Sequence, residues 1–446
     1  MVLLISFIIP EIISKPCTAN RAKYEGLDSL PDSILCHILS FLPSRDAART
    51  SVLSPKWRYF FTSSLTTLDF DDCLDGMCLT KNSMKNFKVF VDKFFFNPNH
   101  LRLECFRVND LWLYAALWRG VKEVEVDLAN GACLILLHLL FTCTSLLKLE
   151  LYIHSWKMKV PNKLNLPKLR TLYLSDMSFE EGLSIRRLIS TCPVLEDFDL
   201  CHCYIYGTSD LNIRGRSLTS LVLDSVMHSS HEGHRHFDYV IQVDAPNLVR
   251  FKYSDCVGKG YAFRNTESLE KACITITHFD DVNRNEFVTL CGICNVHTLL
   301  LTIHDNSVLL SPKPDKSVLA FRNLVELEFR NPGSDWKGTW IVEFLRFVPN
   351  MKKLILDLVD GYRGMKSLPQ EAPPCLLYQI KQISILSFEE HKQMYEVVSY
   401  FLKLALVLEK LEFGGARQQS IIEKLLSLPK SSKECEVVIL CSSGTH

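Results

Sequence analysis

The chain has no surplus charge of either sign. Its 50 lysines and arginines are balanced by 50 aspartates and glutamates over 446 residues. A nucleic-acid surface needs a basic patch and usually a basic isoelectric point, so this balance disfavours one. The chain also lacks an apolar run long enough to cross a bilayer, which takes about 20 residues of helix. Its two apolar stretches, 1–13 (MVLLISFIIPEII) and 132–141 (ACLILLHLLF), are too short, and the second reads as a buried helix. The first lacks the basic start of a secretory signal, is interrupted by Pro10 and Glu11, and precedes a poor cleavage site at 14–20. Catalytic signatures are missing as well. No Gly-rich phosphate loop follows a strand candidate. No Ser/His/Asp set sits around a nucleophile elbow.

Cysteine is not scarce, but the 17 cysteines form no disulfide framework. Many, such as Cys36, Cys133, Cys143 and Cys192, lie inside apolar periodic segments, where a free thiol acts as a small hydrophobe. This points to a reducing compartment, cytoplasm or nucleus. Three clusters could hold a metal. Cys291-Gly292-Ile293-Cys294 is a single CxxC without the second half of a zinc site. Cys201-His202-Cys203 directly follows a strand candidate, so at least one side chain is expected to pack inward. His228, His231, His234 and His236 crowd a polar stretch that reads as a loop. None is read as a metal or cofactor site; none is expected in the chain.

Residues 27–61 (LDSLPDSILCHILSFLPSRDAARTSVLSPKWRYFF) carry the densest pattern. Pro31 fits a first helical position, with Asp28 and Ser29 as capping candidates. Ile34, Leu35, Ile38, Leu39 and Leu42 recur at helical spacing. Pro43 stops that helix, and Ser44 can cap a second one with a small-residue face of Ala47, Ala48, Ser51 and Val52. Ser54-Pro55 restarts the chain before Trp57, Tyr59, Phe60 and Phe61. A unit of about 40 residues cannot normally bury so much apolar surface alone. The surplus reads as a docking face.

These residues resemble the F-box: Leu30-Pro31, the pairs Ile34-Leu35 and Ile38-Leu39, Phe41-Leu42-Pro43, Thr50 to Ser54, and Lys56-Trp57-Arg58. Their order and spacing carry the match. Pro55 departs from it, because the family usually has a basic residue there. The resemblance implies docking on a Skp1-type adaptor, and through it on a cullin, by Leu30, Pro31, Ile34, Leu35, Ile38, Leu39, Leu42, Pro43, Val52, Leu53 and Trp57.

Beyond residue 120 one motif recurs: apolar, two residues, apolar, one residue, apolar. It occurs at Val121-Val124-Val126, Leu146-Leu149-Leu151, Leu169-Leu172-Leu174, Leu195-Phe198-Leu200, Leu218-Leu221-Leu223 and Leu248-Phe251-Tyr253. A degenerate copy is Leu269-Ala272-Ile274. Then follow Val296-Leu299-Leu301, Leu324-Leu327-Phe329, Met351-Leu354-Leu356, Ile380-Ile383-Ile385 and Leu408-Leu411-Phe413. The copies are roughly 21 to 30 residues apart, the leucine-rich-repeat period. The last two apolar positions alternate with polar ones, so they share one side of a short strand. The remainder returns as helix or irregular turn, with helical spacing at 180–189 and 339–347. Pro167, Pro193, Pro246 and Pro349 end return segments and are expected to set up extended backbone.

The irregular copies look like those of plant F-box proteins. Residues 370–442, with Leu428-Pro429-Lys430-Ser431-Ser432 before a strand candidate at 436–440, resemble the end of the FBD domain. That strand would cover the open end of the array, which a solenoid needs.

The expected fold is α/β: a three-helix F-box, then an irregular leucine-rich-repeat solenoid with a curved parallel sheet, and a C-terminal α/β cap. The expected divisions are 1–23 (apolar extension), 24–65 (F-box), 66–118 (linker and N-terminal cap), 119–365 (repeats) and 366–446 (FBD-like domain). The expected function is non-catalytic. The chain would recruit a target protein to a Skp1–cullin–F-box ubiquitin ligase, with Glu150, Asp199 and Glu328 among residues able to line the concave face. No nucleic acid or membrane is expected as a partner. One alternative is a hormone-type co-receptor, which would need a basic cluster from several strands; Arg170, Lys252 and Lys353 are scattered in the sequence. Another is a secreted repeat receptor.

Overall fold

A computed structural model describes residues 30–42, 47, 50, 53–64, 67–69, 105–108, 117, 120–128, 138–153, 161, 163–179, 182–206, 210–229, 240–255, 260–276, 293–304, 321–332, 338–358, 368–388, 392–415 and 419–440. The chain divides into two compact units, Met1–Phe179 with Ser190–Leu195, and Glu180–Ile189 with Glu196–His446.

The first unit begins with helices α1 (Asp32–Ser40) and α2 (Pro55–Ser64), which pack together. Pro31 is the cap of α1 rather than its first helical residue; its carbonyl accepts from the Ile34 and Leu35 amides at 3.0 and 3.1 Å. The cap candidates Asp28 and Ser29 lie outside the described residues. Ser54 caps α2, its Oγ accepting from the Lys56 and Trp57 amides at 3.2 and 3.3 Å. Pro55 therefore fills the one helical position where a missing N–H costs nothing. Of the expected middle helix, Ala47 is fully buried and Thr50 Oγ1 donates to its carbonyl at 2.6 Å.

Strands β1 (Thr67–Asp69), β2 (Cys105–Val108), β3 (Glu123–Leu128), β4 (Lys148–Ile153) and β5 (Thr171–Ser175) follow, each parallel to the next, with a two-residue β6 (Ser178–Phe179). Of the stretch read as a buried helix, 138–140 form its last turn, with Leu140 and Phe141 fully buried.

The second unit holds α3 (Gly182–Ser190, its last residue excepted) and strands β7 (Asp197–Cys201), β8 (Tyr204–Tyr206), β9 (Leu211–Arg214), β10 (Ser220–Asp224), β11 (Met227–Ser229), β12 (Val240–Asp244), β13 (Arg250–Asp255) and β14 (Gly260–Arg264). β15 (Lys271–Ile276), β16 (Thr298–Ile303), β17 (Glu326–Asn331), α4 (Gly338–Leu345), β18 (Lys353–Leu358), α5 (Pro374–Tyr378), β19 (Gln382–Ile385), α6 (Lys392–Leu404), β20 (Lys410–Gly414), α7 (Gln419–Leu426) and β21 (Glu436–Leu440) complete it. Ten of these strands form one parallel ladder, β7-β10-β13-β15-β16-β17-β18-β19-β20-β21.

Register turns the repeated motif into columns. One runs Phe198, Leu221, Phe251, Ala272, Leu299, Leu327, Leu354, Ile383, Leu411, Val437. The other runs Leu200, Leu223, Tyr253, Ile274, Leu301, Phe329, Leu356, Ile385, Phe413, Ile439. In the first unit Val124, Leu149, Leu172 and Val126, Leu151, Leu174 align likewise. Every triplet residue is at most 4% exposed, Ala272 of the degenerate copy being the most open. A repeat therefore buries its apolar pair only against its neighbours.

Pro167, Pro193 and Pro246 occupy the second position of a turn closed by an amide of the next triplet: Leu169 to Leu166 O, Leu195 to Cys192 O and Leu248 to Ala245 O, at 3.1–3.3 Å. Fixed φ suits that position. The Asn after Pro246 and Pro349 ties its turn to another repeat: Asn247 Nδ2 donates to Arg216 O at 2.7 Å, and Asn350 Nδ2 to Arg322 O at 2.8 Å.

The returns are of two kinds. α3 and α4 occur where helical spacing predicts them, burying Ile185 and Leu188, and Ile341, Val342 and Leu345. In the middle repeats the return is instead a second parallel sheet, β9-β12-β14, where Leu211, Ile213, Ile241 and Val243 face inward. The stretch read as a histidine loop starts with strand β11, paired to β8. His231, His234 and His236 lie outside the described residues.

Candidate functional site

Two surfaces are candidates: the outside of the helical pair, and the open face of the strands. On the helical pair, apolar residues divide between inside and outside. Leu35 and Leu39 are 0% and 1% exposed, and Trp57 is buried with them. Turning one helical face into the module leaves the flanking stripe outside. Ile34 is 43% and Phe41 74% exposed, with Pro31 exposed and Leu30, Ile38, Leu42 and Leu53 half-buried. Pro43 and Val52 lie outside the described residues. Phe41, absent from the docking set read from sequence, is the most open large apolar residue described, at 74% exposure, with the His37 ring 4.6 Å away. Its place in the Phe41-Leu42-Pro43 motif was the available signal.

The entry to α1 is held from α2. Lys56 Nζ donates to Leu30 O at 2.9 Å and lies 3.1 Å from Asp32 Oδ1. The basic residue at the start of α2 thus fixes the Leu30-Pro31 corner despite Pro55 before it.

The open face of the strands carries the polar half of each alternation. In the first unit Glu150 lies on that face of its own strands, paired with Lys148 at 2.8 Å; in the second, Glu328 does so, paired with Arg330 at 2.5 Å. Asp199 lies half-buried beside Val222 of β10. Glu150 is the main cause of a raised Lys148 pKa, with Glu123 and Glu125 adding to it. Lys252 lies 3.0 Å from Asp224 and Lys353 2.8 Å from Glu326. Arg170 precedes β5 and is exposed.

The nine cysteines whose side chains are described carry free thiols. Burial pushes the Cys192 thiol up to about 11 and that of Cys375 to about 12, so both behave as inert hydrophobes. Cys203 packs fully inward while His202 stands exposed with φ 51°. No group of His, Cys, Asp and Glu able to hold a metal occurs among the described residues. Of the CxxC, Cys291 lies outside them.

Two family models match the chain. The F-box domain model matches residues 27–68, and the model of the LRR repeats of FBD-associated F-box protein At5g56370 matches 109–279. The F-box/LRR-repeat protein At1g06630 of Arabidopsis thaliana is 30% identical, over 85% of this chain and 94% of its own length. The chain belongs to the F-box/LRR-repeat family. At4g14103, another F-box/LRR-repeat protein of the same plant, is 31% identical over 74% of this chain and 91% of its own length. The putative F-box/FBD/LRR-repeat protein At1g66290 is 27% identical over 93% and 94%. F-box and LRR domains together place the F-box/LRR chain in the SCF-type substrate-adaptor family, whose members are generally non-catalytic.

Proposed function

We propose that the F-box/LRR chain docks on a Skp1-type protein through Leu30, Pro31, Ile34, Ile38, Phe41 and Leu42. Its repeats then present a target protein for ubiquitination by an enzyme carried elsewhere in the complex. The observation that carries this reading is the exposed apolar stripe of α1, within a segment that matches the F-box domain. The chain itself breaks no bond; it raises the local concentration of target lysines. The free thiols support a reducing compartment, cytoplasm or nucleus. A small anionic co-ligand is disfavoured, because Lys252 and Lys353 already hold carboxylates.

The test compares exposed and buried leucine-type positions. Ile34→Ala and Phe41→Ala are expected to weaken binding to a purified plant Skp1-type protein by about 1–3 kcal/mol each, with thermal stability unchanged. Leu35→Ala is expected to lower stability by about 2–5 kcal/mol, because it opens a cavity in the module. Full affinity in both folded surface variants would remove the proposed docking face.

A further inference from the structure

The open face of β15 and β16 differs from the strands around it. Its outward residues are Lys271, Cys273 and Thr275 on one strand and Thr298, Leu300 and Thr302 on the other, beside each other in register. The set contains no carboxylate. On one flank Arg250 is held by Asp197 at 3.3 Å and Lys252 by Asp224 at 3.0 Å. On the other, Arg330 is held by Glu328 at 2.5 Å and Lys353 by Glu326 at 2.8 Å. These pairs close on themselves and leave between them a window without a carboxylate. Its one charge is exposed Lys271, which makes no ion pair among the described residues. Leu300 is its largest apolar side chain. Burial raises the Cys273 thiol pKa; Lys252 and Arg330 oppose that shift and their partners Asp224 and Glu328 reinforce it, so both signs of each flanking pair are felt at the window.

We propose that this window grips the target, and that it takes an acidic–apolar segment. An apolar side chain of the partner covers Leu300 between the threonines, and an Asp or Glu of the same segment meets Lys271. The proposal rests on the recruitment reading above and supplies its partner chemistry. The uncharged centre of the window, Leu300 with Cys273 and the threonines, is flanked by paired charges and loses little on drying, and interface energy concentrates in such centres. The lone cation sets sign and register, because a basic segment would find no carboxylate in the window and would bury its charge against Lys271. Adjacent strands and a two-residue step place Lys271 and Leu300 backbones about 8 Å apart, within reach of two same-side residues of an extended segment.

The test uses the full chain co-purified with a plant Skp1-type protein, so that folding and adaptor docking are checked in the same sample. The probe is a display library of short random peptides. Enriched sequences are expected to carry Asp or Glu two positions from Leu, Ile or Phe. Leu300→Asp should weaken a synthetic copy of such a peptide at least about tenfold. Lys271→Glu should lose the acidic peptide and gain its Lys-substituted version, a reversal that misfolding cannot produce. Lys433→Glu, exposed in the second unit and away from the window, should change neither. The proposal is overturned if no peptide is enriched, if enriched peptides lack the acidic–apolar pair, or if both window variants bind like wild type. Selection of such peptides by a folded chain that ignores the adaptor would instead remove the ligase reading and leave the window standing.

Discussion

Glu412 illustrates how much one side chain depends on strands far away in sequence. Its Oε2 accepts from Ser384 Oγ at 2.6 Å and Gln382 Nε2 at 3.0 Å, and its Oε1 lies 2.5 Å from Lys410 Nζ. Burial raises the carboxyl pKa, but the three donors outweigh it, so the pKa falls below the usual 4.5. A depressed carboxyl pKa stabilises the fold above the unfolded value, and that stabilisation is lost as pH falls through the folded value. Glu412→Gln is therefore expected to be less stable than wild type at neutral pH, with the gap in urea midpoint closing below pH 4.5. A gap that persists in acid would mean the hydrogen bonds act without the charge. None of this was legible beforehand. Gln382 and Glu412 are separate residues in sequence until the β19–β20 register makes them neighbours on adjacent strands. The same holds for Asp224 with Lys252, and for the unequal fates of Ile34 and Leu35, which one helical period cannot separate without knowing where α2 lies.

At the scale of elements, the Pro429-Lys430-Ser431-Ser432 turn has a specific task. The turn caps the last carbonyls of α6 from far downstream in the chain. Ser431 donates its amide to Leu402 O at 2.9 Å and its Oγ to Lys403 O at 2.5 Å, and Ser432 Oγ donates to Leu408 O at 2.6 Å. Lys430 Nζ closes the turn on Cys435 O at 3.2 Å. Ser432 is buried, so Ser432→Ala leaves a carbonyl unpaired and is expected to cost about 1–3 kcal/mol in urea denaturation. A wild-type midpoint in that variant would mean that water or another donor replaces the hydroxyl. The motif was visible in sequence, but its task was not, because the carbonyls of Leu402, Lys403 and Leu408 that it serves lie in an earlier helix and the turn after it. Strand positions were the most legible elements, since each triplet marks a buried pair wherever it occurs, even as Leu269-Ala272-Ile274. The returns were less so. Segments such as LNIR and VIQVD are too short to choose between strand and irregular turn alone, and their partners lie a full repeat away.

At the scale of the whole molecule, the order F-box, repeats and closing strand was readable because each part repeats or matches a dense motif. The residues proposed to face a target were not, because outward positions are free to vary around the framework. That framework makes stability position-dependent. In the second unit an inner residue such as Leu354 is packed between Leu327 and Ile383, whereas among the described residues Ile439 has a strand partner, Phe413, on one side. Leu354 is 0% exposed, while Ile439, on the last strand, is half-buried. β21 thus shields Leu411 and Phe413, both fully buried, without being sealed itself. In a nearest-neighbour array, an interior truncation damages two interfaces and a terminal one only one. Leu354→Ala is expected to cost about 2–5 kcal/mol and Ile439→Ala roughly half of that, read from urea unfolding followed by circular dichroism. If the unit unfolds from its C-terminal end, Ile439→Ala should also broaden the transition, because the last repeat then melts before the rest. Equal costs with an unchanged slope would mean that β21 is as tightly covered as the interior strands, and that the array unfolds as a single block.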